Sequence, residues 1–444
     1  MIAHVIRLHS SSLTSHACHE ERRVTWGELF YDLVFVAAVA QVGAVLAHDY
    51  SVAVLGRYAF MLAVIWWAWN GYAMYATRFA ADDRLQQALT ALQMVAVIFM
   101  AAIAEGTLDS VSTAGFLAAY AAMRFVLVLQ YLRALAIPDA RPLAYESALG
   151  IGLAALVWLA SALAPVPARY GLWAVAFAVD VGTAVRTSRF VRTLPPNAHH
   201  LPERFGLFTL ILLGESIIAI MKGIQSQPDW SLPAASAAFL GIGLIFGLWW
   251  WYFDGAAAAS QRPLRDEADI RKLAVWNYMH LPVYLGLAVT AVGLEHIVRM
   301  GGRAPLHGAE AWIFCGAATA VTSALVVLTA VSSKGRERRW RLPVALAATP
   351  LLLAVVAPVL PPSLLVGALA GLTAVQMAIL PKQLEEDDAA GGGDVERVLP
   401  PQHRNAHGDV TGIHDRRRQP LDLVPEDDAH REARLPVVEI HRAR

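Results

Sequence analysis

The chain contains the segment Glu28-Leu29-Phe30-Tyr31-Asp32-Leu33-Val34-Phe35-Val36, in which two carboxylates stand at the start of a long apolar stretch. Glu28 and Asp32 are four residues apart, so in a helix their side chains share one face. An ionised Asp near the centre of a bilayer costs roughly 2.5–3.5 kcal/mol on insertion scales. Asp32 therefore needs a cation, a proton or water, which makes it a functional candidate. Glu28 lies at the helix N-terminus, where the dipole favours an anion, so capping is its alternative role.

The composition around this segment is that of a protein that crosses a membrane several times. Of the 444 residues, 57% are hydrophobic and 16% are charged, and the mean hydropathy is +0.46. Soluble domains carry about 25% charged residues. The formal net charge is zero, which argues against a nucleic-acid partner. The expected partners are the lipid bilayer and an unidentified small molecule or ion.

The motifs of enzymes and metalloproteins are missing from the sequence. Cys18 and Cys315 lie in unrelated contexts, so they indicate neither a disulfide framework nor a metal cluster. The sequence contains no glycine-rich phosphate loop after a strand and no Gly-x-Ser-x-Gly turn. It therefore predicts a protein without cofactor or metal, and enzymatic chemistry is unsupported.

Twelve apolar segments are each about long enough to cross a bilayer as an α-helix. Their ranges are 26–47, 57–77, 85–104, 113–133, 147–164, 168–186, 205–222, 235–254, 273–296, 311–331, 342–358 and 363–381. Pro343, Pro350 and Pro358 interrupt the last two segments, so the alternative is that these segments form a single pair of broken helices. The pattern predicts an all-α polytopic membrane protein.

The distribution of Lys and Arg between the connections predicts the orientation. Twenty basic residues lie in the alternate connections that include the N-terminal segment, and five lie in the others. Basic residues are retained on the cytoplasmic side. Both termini are therefore expected in the cytoplasm.

The two halves of the membrane region repeat each other at an offset of 182 to 184 residues. The two members of each matched pair occupy equivalent positions in the two halves. The pairs are Glu21-Arg22 with Glu203-Arg204, Asp32 with Glu215, Trp66–Gly71 with Trp250–Gly255, Arg78 with Arg262, and Asp82-Asp83 with Asp266-Glu267. Six spans per repeat is an even number, so the halves share one orientation. Parallel repeats of this kind occur in transporters.

This repeat defines the predicted domains. Residues 1–23 form a polar cytoplasmic segment without the apolar core of a signal peptide. Residues 24–200 and 201–381 are the two six-helix repeats. Residues 382–444 carry dense charges of both signs and few apolar residues. Such a composition cannot bury enough apolar area to offset the ordering entropy, which predicts a disordered cytoplasmic tail.

Several further polar residues fall within the predicted spans. Glu215 lies near mid-membrane, where low dielectric favours a protonated carboxyl that can load and release a proton. Arg124 stays protonated and must pair or reach water, with Asp32, Glu215 and Asp180 as available partners. His280 is a titratable imidazole about two turns inside its span, and its alternative role is a hydrogen bond between helices.

Aromatic runs end the second and eighth spans. Trp66 belongs to the first run, Trp66-Trp67-Trp69, and Trp250 to the second, Trp249–Phe253; Asn70 and Asp254 follow them. Anchoring at the membrane interface is the simpler interpretation. The alternative interpretation is that a substrate path is lined by Trp66, Trp250, Asn70, Asp254 and Asp180.

The chain resembles the bacterial low temperature requirement A (LtrA) family over roughly residues 20–380. The resemblance is carried by Glu28–Val36, by Trp66-Trp67 with Arg78-Phe79, by Glu203-Arg204 with Leu213-Gly214-Glu215, and by His280-Leu281-Pro282 with Gly293-Leu294-Glu295. It implies a polytopic inner-membrane protein associated with growth in the cold. The major facilitator superfamily fits less well, because the connection after the second span lacks its Gly-x-x-x-Asp-Arg pattern.

Three functional hypotheses follow from these residues. The first is a proton- or cation-coupled transporter or channel in which Asp32, Glu215 and Arg124 share one buried site between the repeats, with His280 and Glu28 in supporting roles. The second is a non-transporting scaffold or sensor in cold adaptation, in which the same charges tie helices together. The third is a membrane-embedded enzyme that modifies lipids.

Overall fold

The computed structural model describes residues 14–15, 23–80, 83–103, 112–227, 229, 231–256, 266–332 and 341–392. Within these residues it contains twelve α-helices, α1 to α12. Their bounds are Trp26–His48, Val52–Ala76, Arg84–Ala102, Ser112–Ala134, Arg141–Ser161, Ala168–Thr187, His200–Gln225, Leu232–Trp251, Glu267–Arg299, Ala309–Ser332, Arg341–Val356 and Pro362–Gly392. A two-residue antiparallel pair, β1 (Thr14–Ser15) with β2 (Phe79–Ala80), is the extended structure in this part of the chain.

Each of the twelve predicted spans coincides with one of these helices. In the described part of the chain, ten helices are long and apolar enough to cross a membrane. The two that fall short are α6, whose apolar sequence is broken by Arg169, Asp180 and Arg186, and α11, which has 16 residues. The fold is therefore that of an all-helical, multi-pass membrane protein.

The predicted tail begins later than its composition suggested. Helix α12 continues past residue 381 to Gly392, because Gln383-Leu384-Glu385-Glu386 are all good helix formers. Residues 393–444, which make up the rest of the predicted tail, lie outside the described residues.

Polar side chains set the N-termini of several helices. Thr25 precedes α1 and forms a capping box with Glu28: the Glu28 N–H donates to Thr25 Oγ1 at 3.3 Å, and the Thr25 N–H donates to Glu28 Oε2 at 2.9 Å. Ser51, Asp83 and Asp266 cap α2, α3 and α9 in the same way. These side chains satisfy amide groups that have no partner within the helix. The capping role expected as the alternative for Glu28 is present.

Long-range contacts identify the two ends of the helix bundle. At one end, which we call the Trp26 end, the Val24 N–H donates to Glu203 Oε2 and the Asn197 N–H to the Thr77 carbonyl. At the other, the His48 end, Arg299 Nη2 donates to the Ala47 carbonyl at 2.6 Å. Short connections between antiparallel neighbours place successive helix ends alternately at these two ends.

The order of packing is similar in the two halves of the chain. Helix α1 packs on α3, and α7 packs on α9. In the same way α4 packs on α5 and α10 on α11. Helices α1, α7 and α9 also pack on one another and form the centre of the bundle. Large apolar side chains such as Phe99, Leu153 and Phe239 are exposed on the outer surface, as a lipid-facing surface requires.

Helices α9 and α10 approach each other closely at Gly286. A Cβ atom on this residue would lie 2.7 Å from the Val321 nitrogen and 2.8 Å from the Ala317 oxygen, both backbone atoms of α10. Small residues allow such backbone contact between membrane helices. Gly286 therefore sets the spacing of the most extensive helix pair in the fold.

We expect Gly286→Ala to destabilise the protein by about 1–3 kcal/mol, because the added methyl group forces the two backbones apart. The matched control is Gly316→Ala on α10, where a Cβ would have no neighbour within 4 Å. Thermal unfolding in detergent should show a lower midpoint for Gly286→Ala and a midpoint at or above wild type for Gly316→Ala. Equal midpoints for the two variants would contradict the close packing.

Candidate functional site

Asp32 is completely buried and is paired with Arg204 of α7. The Arg204 Nη2 group contacts Asp32 Oδ1, and Nε donates to Oδ2 at 3.3 Å. The indole Nε1–H of Trp69 on α2 donates to Oδ1 at 2.7 Å. The cation that Asp32 requires is therefore supplied by the protein itself, and the contact joins α1, α2 and α7.

Three aromatic rings surround the Arg204 guanidinium. Its Cζ atom lies 5.8 Å from the ring centroid of Tyr31, 5.7 Å from that of Trp69 and 5.3 Å from that of Tyr72. A guanidinium is attracted to the faces of aromatic rings at such distances, and more strongly when water is excluded. The aromatic residues thus help to offset the cost of burying Arg204.

A second pair lies one helical turn closer to the Trp26 end. Glu28 Oε2 is 3.1 Å from His200 Nε2 on α7. Glu28 precedes Asp32 by four residues, and His200 precedes Arg204 by four. The two contacts join residues 172 apart, so α1 and α7 run in the same direction along this seam. We call these four residues the α1–α7 ladder.

Arg124 forms a separate ion pair with Asp180. Its Nη2 group contacts Asp180 Oδ1, and both side chains are buried. The Trp158 Nε1–H donates to the other carboxylate oxygen at 3.4 Å. Of the three partners available to Arg124 in the sequence, the structure selects Asp180. The expected site that combines Asp32, Glu215 and Arg124 is therefore not formed, because Asp32 and Arg124 each have their own partner.

The Arg124–Asp180 pair lines a cavity of about 270 Å³. We call it the Arg124 cavity. Helices α2, α4, α5, α6 and α9 contribute its walls from their halves near the Trp26 end. Asn70 and Asp180, two of the residues proposed from the sequence to line a substrate path, line this cavity together with Trp67, Asn277 and Tyr278.

A larger cavity of about 620 Å³ lies toward the His48 end and is lined by α1, α2, α7 and α9. We call it the Glu215 cavity. Glu215 is half-buried in its wall and forms no ion pair with the residues that the structure describes. The other acidic, basic or histidine side chains on this cavity are Lys222, Glu295, Arg299 and His48, and the phenol of Tyr58 also lines it.

His280 ties helices together rather than facing either cavity. Its Nδ1 lies 2.7 Å from the Trp276 carbonyl oxygen, and Nε2 lies 3.0 Å from the Tyr252 hydroxyl. A neutral imidazole that donates from Nδ1 and accepts at Nε2 satisfies both contacts. The hydrogen-bonding role expected as the alternative for His280 is therefore present.

The remaining predicted lining residues lie elsewhere among the described residues. Trp66 is buried in the core against Tyr278, because it is rotated about the helix axis away from Trp67. Trp250 is 48% exposed on the outer surface, as an interfacial anchor would be. Asp254 is exposed in a π-helical turn after α8. These three residues do not line the Arg124 or Glu215 cavity.

Sequence reasoning missed Arg204 and His200, which complete the two pairs of the α1–α7 ladder, and it missed Asn277 and Tyr278, which line the Arg124 cavity. Arg204 entered only as part of the repeat, because it directly precedes the predicted span 205–222. The helix begins at His200, which places Arg204 one turn inside it. His200 precedes it at helical spacing. Asn277 and Tyr278 lie beside His280, but nothing in the sequence orients them toward Arg124.

In the part of the chain that the structure describes, the fold and the buried charges define a polytopic membrane protein that includes the Arg124 and Glu215 cavities. The family model described as bacterial low temperature requirement A protein (LtrA) matches residues 23–377, and the chain belongs to this family. A protein of Rhizobium meliloti (strain 1021), described as uncharacterized protein RA0937, is 27% identical over 301 residues. The match covers 64% of this chain and 72% of the relative.

We expect Asp32→Asn to lower the stability of the protein by about 3–5 kcal/mol, because it leaves the buried Arg204 without its counter-ion. The double variant Asp32→Asn/Arg204→Met should recover much of this loss, since no lone charge remains. Asp49→Asn, at an exposed carboxylate after α1, is the control and should match wild type. The measurement is the thermal midpoint in detergent, and a single variant as stable as Asp49→Asn would refute the pairing.

Proposed function

We propose that the protein is a secondary carrier of the inner membrane whose substrate path joins the Arg124 and Glu215 cavities. The observation that carries the proposal is their placement: the lining residues of one lie toward the Trp26 end and those of the other toward the His48 end. Both are lined by α2 and α9, through Trp67 and Tyr278 in the first cavity and through Tyr58 and Ala288 in the second. A carrier needs such access from each side in turn.

Buried side chains separate the two cavities along the helices that they share. Leu62 and Ile65 lie between Tyr58 and Trp67 on α2, and Tyr284 and Leu287 lie between Tyr278 and Ala288 on α9. All four are buried. Movement of α2 and α9 relative to their neighbours is the rearrangement that would connect one cavity with the other.

Glu215 is the proposed site of proton coupling. It is a carboxyl within a membrane helix, it faces a cavity, and it lacks an ion-pair partner among the described residues. Asp32 is already neutralised by Arg204, so we assign it and Glu28 to the connection between α1 and α7. A carboxyl that is free to bind a proton is what a coupled carrier requires.

The proposal includes the duplicated architecture and its orientation. The parallel α1–α7 ladder and the similar packing of α1 on α3 and α7 on α9 support two repeats of six helices in one orientation. The excess of basic residues at the Trp26 end supports cytoplasmic termini. The description of the family associates it with a low temperature requirement, and a role in growth in the cold is part of the proposal.

We expect purified protein in liposomes to acidify a lumen that contains a pH-sensitive dye when a proton gradient is imposed. Glu215→Gln should abolish this signal, because an amide cannot carry the proton. Glu203→Gln, at an exposed carboxylate on the same helix, is the control and should retain it. Absence of flux under proton and cation gradients, in stable wild-type protein, would favour the scaffold hypothesis.

Reporter fusions test the orientation separately. We expect green fluorescent protein fused after Arg444 to fluoresce in cells, because both termini are proposed to be cytoplasmic. Alkaline phosphatase fused after Gly302, in the connection between α9 and α10, should be active, since that enzyme requires the periplasm. The reverse pattern of activities would refute the orientation and leave the fold unaffected.

A further inference from the structure

The Arg124 guanidinium retains hydrogen-bonding capacity that the protein does not use. Its Nη2 group is occupied by Asp180, but Nε and Nη1 are buried and have no hydrogen-bond partner among the described residues. The side chain is 2% exposed and lines the cavity. Leaving charged donors unpaired in a buried site is costly, so a ligand that accepts from them would relieve the cost.

Gly71 makes room for this arrangement. A Cβ atom at this position would lie 2.9 Å from Arg124 Nη1 and 3.2 Å from Leu127 Cδ2. Since these distances are shorter than normal contacts, any larger residue would displace the guanidinium. Gly71 itself lines the cavity. The free Nη1 group therefore lies where α2 lacks a side chain.

The charges on the cavity wall favour an anion. The titratable groups with a full charge that line the cavity are Arg78, Arg124 and Asp180. The first two are cationic and the third is anionic, which leaves one net positive charge. Arg78 donates from Nε and Nη1 to the carbonyls of Leu194 and Met74, which fixes its charge in the wall of the cavity. A monoanion would neutralise the site.

The same cavity also has unused acceptors and an apolar wall. The Oδ1 atoms of Asn70 and Asn277 are buried without a hydrogen-bond partner among the described residues. They require a hydroxyl or N–H donor on the ligand. Trp67 and Tyr278, whose rings are stacked with centroids 5.9 Å apart, provide apolar surface. The volume of about 270 Å³ restricts the ligand to a small molecule.

We propose that the Arg124 cavity binds a small organic acid that carries one negative charge, a hydroxyl group next to the carboxylate, and an apolar side chain. The carboxylate accepts hydrogen bonds from Arg124, the hydroxyl donates to Asn70 or Asn277, and the apolar part contacts Trp67 and Tyr278. The assignment of this acid as the substrate of the carrier rests on the proposed function. The binding of the acid in the Arg124 cavity does not.

Isothermal titration calorimetry in detergent tests this site with three matched probes. They are leucic acid (the α-hydroxy analogue of leucine), isocaproic acid, which lacks the hydroxyl, and the amide of leucic acid, which lacks the charge. We expect leucic acid to bind most tightly and isocaproic acid about 3- to 10-fold more weakly, because one hydrogen bond is lost. The amide should bind at least about 10-fold more weakly, since hydrogen bonds to a charged group are stronger.

Variants of the cavity assign each interaction. Arg124→Gln/Asp180→Asn removes both charges together, so no lone charge is left buried, and leucic acid should lose at least about tenfold in affinity. Gly71→Ala should weaken binding by displacing Nη1. Its control is Gly152→Ala, where the nearest atom to a Cβ would be Val128 Cγ2 at an ordinary 3.7 Å. Asn70→Ala/Asn277→Ala should make leucic and isocaproic acid bind equally.

The possible results separate this inference from the carrier proposal. Equal binding of the acid and its amide, binding by none of the probes, or unchanged affinity in Arg124→Gln/Asp180→Asn would each overturn the inference. The thermal midpoint of each variant shows whether that variant is folded. If Arg124→Gln/Asp180→Asn is unfolded, the affinity of Gly71→Ala for leucic acid tests the role of Arg124 instead. Proton flux without binding refutes the ligand class alone. Binding with the expected order but without flux refutes the carrier and leaves the site in place.

Discussion

Charges buried in an apolar helix bundle must be paired, and this constraint determines which helices meet at the centre of the protein. The α1–α7 ladder joins residues 172 positions apart in the chain, and the Arg124–Asp180 pair joins residues 56 positions apart. Each ionised side chain loses its hydration when it is buried, and only a counter-ion in good geometry offsets that loss. Once Asp32 has Arg204 as its partner, α1 and α7 must be neighbours, and the Glu28–His200 contact four residues earlier on both helices shows that they run in the same direction.

The two buried ion pairs differ in what they leave available. Asp32 and Arg204 share two contacts, Trp69 donates a further hydrogen bond, and aromatic rings close around the guanidinium, whose Nη1 has no hydrogen-bond partner among the described residues. The Arg124–Asp180 pair faces a cavity, and Nε and Nη1 of Arg124 have no hydrogen-bond partner in the same part of the chain. Identical residue types are thus enclosed by aromatic side chains in one place and border a cavity in the other. The difference lies in the surrounding space.

The sequence was sufficient to predict the helices, but it was not sufficient to predict which buried side chains pair with one another. Hydropathy located all twelve segments, and the spacing of Thr25 and Glu28 explains how α1 begins. The pairing of Arg124 with Asp180 depends on how α4 and α6 pack, which no local pattern encodes. Trp66 and Trp67 show the same limit: neighbours in a helix point about 100° apart, so one enters the core and the other lines a cavity.

Helix α9 has 33 residues, which corresponds to a length of about 50 Å at 1.5 Å per residue. The hydrocarbon core of a bilayer is about 30 Å thick. A helix of this length must tilt or project beyond the apolar layer, and its first residues, which include Glu267 and Asp269, are polar. Since α9 lines both cavities, any change of tilt that matched this helix to a thinner or thicker bilayer would shift both cavity walls at once. Lipid thickness would then act directly on the interior of this protein.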